Sequence, residues 1–158
     1  MRSKGVLLSL ALGAMTLAGC LAPPSQASRV TDAARELNLA TRFGRMDIAL
    51  SHTANGARDA FLDRRGQWGK HLRIVDVELA GLAMKDEHQA TVQVDVAWVR
   101  VNDENLRTTR VAQVWRDDEG WQLIREQRLA GDLGLFGEPI PVTASEARDV
   151  QFPSRTIR

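Results

Sequence analysis

The chain has 158 residues, of which 44% are apolar and 26% are charged. This composition is typical of a globular protein, and the length leaves room for one domain rather than two. Lysine and arginine number 21 against 20 acidic residues, and this balance does not imply a large basic face for nucleic-acid binding. The single cysteine, Cys20, excludes an intramolecular disulfide and a cysteine-rich metal cluster.

The first twenty residues have the pattern of an export signal. Arg2 and Lys4 form a basic segment, and the uncharged residues 6–18 (VLLSLALGAMTLA) follow as an apolar one. As a helix, this apolar segment reaches about 20 Å, which is short of the roughly 30 Å core of a bilayer. The pattern therefore predicts a signal peptide and not a permanent membrane span.

Residues 17–20 (Leu-Ala-Gly-Cys) resemble the lipobox of bacterial lipoproteins. That resemblance implies a signal peptide over residues 1–19, cleavage before Cys20, and a diacylglycerol on the Cys20 thiol. It also implies that the new amine is acylated, as with palmitate, and several acyl chains hold a protein at a bilayer. Leu21 replaces the Asp of an inner-membrane retention signal, which implies the periplasmic leaflet of the outer membrane. The alternative is an ordinary secretory signal with a chance cysteine.

The remaining chain is expected to have three parts. Residues 20–28 hold the cysteine and two adjacent prolines, which predicts a tether between lipid and domain. Residues 29–141 are expected to form a single α+β domain. Residues 142–158 lack a lasting apolar period and are expected to form an extended C-terminal tail.

The N-terminal half of the domain has the apolar spacing of helices. The helical period begins at Arg29 and continues to about residue 51, which predicts one long helix with Ser28 or Thr31 as its N-cap. Asn55-Gly56 is a strong helix breaker, and a second helix is expected from Ala57 to about Gln67.

After Gly69 the apolar period becomes two, which is typical of strands. Short polar turns join the strands and force neighbours to be antiparallel. The expected strands are Leu72–Leu82, Ala90–Val101, Leu106–Arg116 and Trp121–Leu129. The first strand is expected to place on one face Val75, Val77 and Leu79. The second, which is the clearest, is expected to place on one face Ala90, Val92, Val94, Val96 and Trp98.

The expected fold is α+β, with two N-terminal helices packed on a curved antiparallel four-stranded meander. The element order and the segment WRDDEGW (115–121) resemble the cystatin-like cone of the nuclear-transport-factor-2-like superfamily. The competing fold is a two-layer sandwich with helices flat on an open sheet. Leu133, Leu135 and Phe136 are expected to pack over an open end of the sheet, and Trp115 and Trp121 to form a cross-strand pair.

The superfamily includes steroid isomerases and polyketide cyclases, whose chemistry needs a carboxylate base in an apolar pocket and an oxyanion donor. The candidate bases are Asp47, Asp76 and Asp95, and Asp76 is the strongest because it interrupts an apolar strand. A pocket would be lined by Asp47, Asp76 and Trp98. The isomerase pattern uses a tyrosine donor, and the chain has no tyrosine. No catalytic residue is therefore assigned, and the carboxylates are interpreted as solvated.

Other polar groups are interpreted as structural. His52, His71 and His88 lack the spacing of a metal pair, so neither a metal nor a cofactor is expected. The arginines of the last two strands alternate with acidic residues, which predicts cross-strand ion pairs on a solvated sheet. The acidic residues are Asp117, Asp118 and Glu126. A docking face for an acidic partner is the alternative for the basic residues, which are Arg107, Arg110, Arg116, Arg125 and Arg128.

The function expected from these patterns is that of a lipid-anchored envelope protein with a non-catalytic binding or interaction module. Its contacts would be the membrane through Cys20, and an envelope protein or a small apolar ligand through the domain, with no nucleic acid. Two alternatives stay open. One is a small-molecule enzyme or ligand carrier with an aspartate base on the same fold, and the other is a purely structural lipoprotein.

Overall fold

The computed structural model describes residues 23–140. The predicted signal peptide, Cys20 and the predicted tail 142–158 lie outside this range. The elements are α1 (Gln26–Arg42), α2 (Met46–Ser51), a 3₁₀ turn (Asn55–Ala57), α3 (Arg58–Arg65), β1 (Leu72–Met84), β2 (Gln89–Arg100), β3 (Asp103–Asp117) and β4 (Trp121–Gly131). The strands form one antiparallel sheet in the order β1-β2-β3-β4, so the α+β class with helices before the sheet is confirmed.

Helix α1 begins earlier than the sequence predicts. The Ser25 side chain accepts a hydrogen bond from the Ser28 backbone N–H (3.1 Å), so Ser25 is the N-cap rather than Ser28 or Thr31. Residues 26–28, which the sequence predicts as part of the tether, therefore belong to the helix.

The predicted long helix is broken at Gly44. Gly44 has φ of 72°, a conformation that favours glycine. The Gly44 N–H bonds to Thr41 O (3.1 Å) and the Arg45 N–H to Ala40 O (2.8 Å), which is the Schellman arrangement that ends a helix. The chain restarts as α2 at Met46, so the expectation of one helix to residue 51 is wrong.

The sheet presents one face to a core that it shares with the helices. In β2 the alternation is as predicted, with the inward residues buried at Ala90, Val92, Val94, Val96 and Trp98. The same core includes Val30, Ala34 and Leu37 of α1, and Leu135 and Phe136 from the segment after β4. Leu135 is fully buried, as expected for a residue that covers the sheet.

One prediction about a strand face is wrong. A β-bulge places Val75 opposite no residue of β2, because Ile74 pairs with Trp98 and Asp76 with Ala97. Val75 is therefore exposed, and Ile74 packs on the core in its place.

Trp115 and Trp121 are both buried, but they do not face each other across the ladder. Trp115 is aligned with Leu123, and Trp121 with Asp117. The two indoles are therefore diagonal rather than directly opposite across the ladder, and both belong to the same core.

Candidate functional site

The three residues proposed to line a pocket are not brought together. Asp47 lies in the first turn of α2 and is exposed. Asp76 is exposed on β1, where its carboxylate accepts a hydrogen bond from Arg42 (2.7 Å). Trp98 is fully buried and donates a hydrogen bond to Thr109 Oγ1 (3.0 Å). The bulge at Val75 is the reason that Asp76 faces outward, since it shifts the alternation by one residue.

Asp95 lies on the outer face of the sheet, as the sequence predicts. Its two carboxylate oxygens accept hydrogen bonds from Arg110 Nε (2.7 Å) and Nη2 (2.6 Å) on β3. The hydrogen bonds from Arg110 hold the pKa of the Asp95 carboxyl below its ordinary value, and the carboxylate raises the pKa of Arg110 in turn. This geometry is that of a structural ion pair and not of a general base.

The charged residues of the last two strands are expected to be solvated, and for Glu126 this expectation is wrong. It is buried on the inner side of β4, and so is its partner Arg65 at the end of α3. Arg65 Nη2 donates to Glu126 Oε2 (2.8 Å) and Arg65 Nη1 donates to Glu126 Oε1. The result is a two-pronged ion pair inside the protein.

Aromatic rings enclose the Arg65 guanidinium. Its carbon lies 3.8 Å from the centre of the Phe61 ring, 4.8 Å from that of Trp68 and 5.9 Å from that of Phe136. The Trp68 and Phe136 rings are nearly parallel (4°), with centres 6.5 Å apart. The cation therefore has π faces beside it and the Glu126 carboxylate in line with its N–H groups, an arrangement that compensates for lost water.

A neutral pair lies in the same interior. Asn38 of α1 and Gln113 of β3 are buried and exchange two amide hydrogen bonds, of 2.9 and 3.0 Å. Asn38 also donates to Ala34 O (2.8 Å) within α1. These bonds tie the helix to the sheet and leave no open acid or base in the pair.

An apolar groove runs along the outer side of α1 and α2. Its volume is about 450 Å³, and Phe43 is 70% exposed and Leu39 39% exposed there. Leu39 and Phe43 lie on the side of α1 opposite its buried residues, and the chain that continues into α2 after Gly44 supplies the other wall of the groove. The residues that line it are Asp32, Arg35, Glu36, Leu39, Ala40, Phe43, Arg45 and Ile48.

Two polar clefts adjoin at the end of the sheet where β2 turns into β3. Their volumes are about 420 and 600 Å³, and both include residues 100–103. His71, Gln67 and Glu138 line the first cleft, while Arg73 and Val99 line the second. Arg100 therefore lies between the two.

The histidines are dispersed. His52 lies 3.1 Å from the Glu36 carboxylate, His71 lines a cleft, and His88 lies in the β1–β2 turn. Within residues 23–140, no three histidine, cysteine or acidic side chains are grouped as they would be around a metal ion.

Comparison with known proteins gives one structural likeness. No family model matches the chain, and no curated protein matches it. It is similar to the solution structure of a SEC-C-motif-containing protein from Rhodopseudomonas palustris, with a TM-score of 0.53 and 14% identity. The likeness covers 68% of this chain and 83% of the other, and it shows a shared fold alone. Among the described residues, none of the helices is both long and apolar enough to span a bilayer.

Proposed function

We propose that this protein is a lipid-anchored envelope lipoprotein whose domain is a non-catalytic module that binds another envelope protein. The observation that carries the anchoring is the Leu-Ala-Gly-Cys segment after an apolar stretch, with the chain's one cysteine at its end. The attachment would be through acyl chains on Cys20, on the periplasmic leaflet of the outer membrane.

The apolar groove supports a protein partner. Phe43 and Leu39 expose aromatic and aliphatic surface beside one another, and acidic and basic side chains alternate along the groove. An apolar centre with a polar rim is the usual anatomy of a protein interface. The occupant that fits is a helix with an apolar stripe, whose charged flanks pair with the rim.

The positions of the candidate bases favour binding over catalysis. Asp47 and Asp76 are exposed, and Asp95 is held by Arg110 on the solvated face. A general base would need a carboxylate directed into an enclosed apolar pocket. In the part of the chain that the structure describes, none of these three carboxylates has that setting.

The finer fold proposal is the cystatin-like cone of the nuclear-transport-factor-2-like superfamily. Register shifts in β1 and β4 support it, because bulges bend strands and increase their twist. A curved sheet of that kind encloses helices, whereas the competing open sandwich needs a flatter sheet.

Substitution of the cysteine tests the anchor. We expect Cys20→Ser to stop both cleavage and labelling with an alkyne analogue of palmitate, and to move the protein out of the detergent phase on partition. The control is Thr16→Ser, which lies in the apolar segment but outside the Leu-Ala-Gly-Cys match. A Cys20→Ser protein that is still cleaved and still sediments with membranes would overturn the proposed anchoring.

A photo-reactive residue tests the partner. Placed at Leu39, it should crosslink to one envelope protein in intact cells, and Phe43→Asp should reduce the yield roughly tenfold or more, because burial of a phenylalanine contributes about 1.5–3 kcal/mol. Leu106→Asp, at a similarly exposed residue on β3, is the matched control. Recovery of a lipid or small molecule instead of a protein would favour the ligand carrier.

A further inference from the structure

One edge of the sheet, along strand β1, is open. The backbone hydrogen bonds that residues 23–140 form outside the helices and the strand ladders include none from residues 73–84. The opposite edge is partly occupied, since Leu123 of β4 forms backbone hydrogen bonds with His52 (2.8 Å) and Ala54 (3.0 Å). An open row of N–H and C=O groups can pair with a further strand.

The open part of β1 lacks the charges and prolines that normally protect an edge strand. Residues 79–84 (Leu-Ala-Gly-Leu-Ala-Met) contain neither. Leu82 and Met84 are aligned with the buried Val92 and Ala90, so they belong to the inner face of the sheet. They are nevertheless 39% and 37% exposed, because the core is incompletely covered there. A neighbouring strand would bury this apolar surface.

The β1–β2 register shows which residues direct their backbone groups to the open side. The Lys85 N–H bonds to Gln89 O (2.8 Å), so every second residue of β2 from Gln89 onward directs its N–H and C=O groups to β1. The β1 residues aligned with these positions direct theirs to β2, and they are Ala83, Gly81, Glu78 and Asp76. The aligned residues between them direct theirs to the open side, and they are Val77, Leu79, Leu82 and Met84.

The segment 76–85 (Asp-Val-Glu-Leu-Ala-Gly-Leu-Ala-Met-Lys) is complementary to itself in the antiparallel direction. Across a two-fold axis at residues 80–81, the opposed pairs are Val77 with Met84, Leu79 with Leu82, Glu78 with Ala83 and Asp76 with Lys85. In the two apolar pairs, both residues have outward backbone groups and inner-face side chains, while the terminal pair joins opposite charges. The bulge at Ala80 makes this agreement possible, because it shifts the alternation by one residue between the two halves of the segment.

The position of α1 fits the same arrangement. The helix ends beside one end of the segment, where Arg42 donates to the Asp76 carboxylate (2.7 Å). It begins beside β4, where Gln26 accepts a hydrogen bond from Trp121 Nε1 (3.2 Å). The two-fold axis places the Asp76 end of one copy next to the Met84 end of the other. The two α1 helices therefore reach the interface at opposite ends and do not compete for the same space.

We propose that β1 pairs with β1 of a second copy of this chain, across a two-fold axis at residues 80–81, and joins the two sheets into one. A single strand pair is a small interface, and attachment of both copies to one membrane would raise their local concentration. The pairing surface is separate from the groove on α1 and α2, and the pairing itself does not depend on the proposed anchoring.

The test is disulfide crosslinking of the full chain in a non-ionic detergent, over a range of protein concentrations. Glu78 and Ala83 are exposed, and as an opposed pair without hydrogen bonds their Cα atoms would lie about 4.5 Å apart. Glu78→Cys/Ala83→Cys should therefore form a covalent dimer under mild oxidation. Neither single variant should, because the two copies of one position are five residues apart along the ladder, or roughly 16 Å. The unchanged chain measures any crosslinking through Cys20.

A charge on the open edge should prevent the pairing. In the double-cysteine chain, Leu82→Lys should reduce the dimer roughly tenfold or more, because it places a charge opposite Leu79 and removes a buried leucine. Leu129→Lys, at a similarly exposed leucine on the other edge strand, is the matched control and should leave the dimer unchanged.

Three results would overturn the proposal, and none depends on how well Leu82→Lys folds. The first is equal crosslinking of the double-cysteine chain and either single variant. The second is a dimer that forms through Glu78→Cys alone, since the register would then differ. The third is a double-cysteine chain that crosslinks only after removal of residues 142–158, because that segment, and not a second copy, would then occupy the edge.

Discussion

Two arginine–carboxylate pairs in this protein have the same chemistry and opposite surroundings. Arg65 and Glu126 are 3% and 2% exposed and lie between the helices and the inner side of the sheet. Arg110 and Asp95 lie on the outer face, where their side chains are 45% and 28% exposed. In both pairs, two N–H groups of the guanidinium donate hydrogen bonds to the two carboxylate oxygens.

Because the contact geometry is similar, we expect solvent exposure to decide how much each pair contributes to stability. On the outer face, water replaces a lost partner, so the pair contributes less than about 1 kcal/mol. In the interior nothing replaces it, and the remaining charge is left in a medium of low polarity. The aromatic rings of Phe61 and Trp68 beside Arg65 offset part of the desolvation cost of the cation. They do not offset the desolvation cost of the Glu126 carboxylate, because the π face of a ring attracts cations.

The largest effect is expected when the buried pair is broken on one side. Arg65→Met leaves the Glu126 carboxylate without its partner, and we expect a loss of about 3–5 kcal/mol in the free energy of unfolding. Chemical denaturation followed by tryptophan fluorescence measures this loss.

The double variant Arg65→Met/Glu126→Leu is the control for lost volume. Because it removes both charges, it should recover most of the stability. A cost below about 1 kcal/mol for Arg65→Met would mean that water reaches Glu126, and the contrast between the two pairs would disappear.

A smaller effect is expected from the neutral buried pair, and it separates burial from charge. Asn38→Leu leaves the Gln113 amide in the interior without its two bonds to α1, at a cost of about 1–3 kcal/mol. The same denaturation measurement applies. Asn38→Leu/Gln113→Leu should cost less than the single change, and a greater cost would indicate overpacking rather than unsatisfied hydrogen bonds.

The sequence predicts the faces of some strands and not of others, for a physical reason. Strand β2 keeps one alternation from Ala90 to Trp98, so its buried face follows from the period of two. Strand β4 does not, because Trp115 pairs with Leu123 and Val114 with Arg125, which leaves Ile124 as a bulge. The bulge turns Glu126 inward, and no local sequence pattern predicts the bulge.

The apolar groove on α1 and α2 is also not predicted by the sequence. Phe43 extends the predicted apolar stripe in the sequence, but at about 100° per residue it lies on the side of α1 opposite the buried Val30 and Leu37, and it lines the groove. Register and helix ends depend on tertiary packing, which a periodicity does not contain.

The smallest effect is expected at the exposed pair, and it depends on pH. Arg110 lowers the folded-state pKa of Asp95, so the pair's contribution is present above the ordinary aspartate pKa of about 4 and is lost as the pH falls through the lowered value. At neutral pH, Asp95→Asn should reduce the melting temperature by roughly 2 °C or less.

The difference between the unchanged chain and Asp95→Asn should therefore be constant from neutral pH to about pH 5 and should shrink below pH 4, where protonated aspartate and asparagine both lack charge. Asp103, whose pKa is also lowered, titrates in both proteins and cancels in the difference. The same substitution in an Arg110→Gln background isolates the pair, since the pH-dependent difference should vanish without the guanidinium. A difference that persists there, or that grows as the pH falls, would show that Asp95 stabilises the sheet through something other than Arg110.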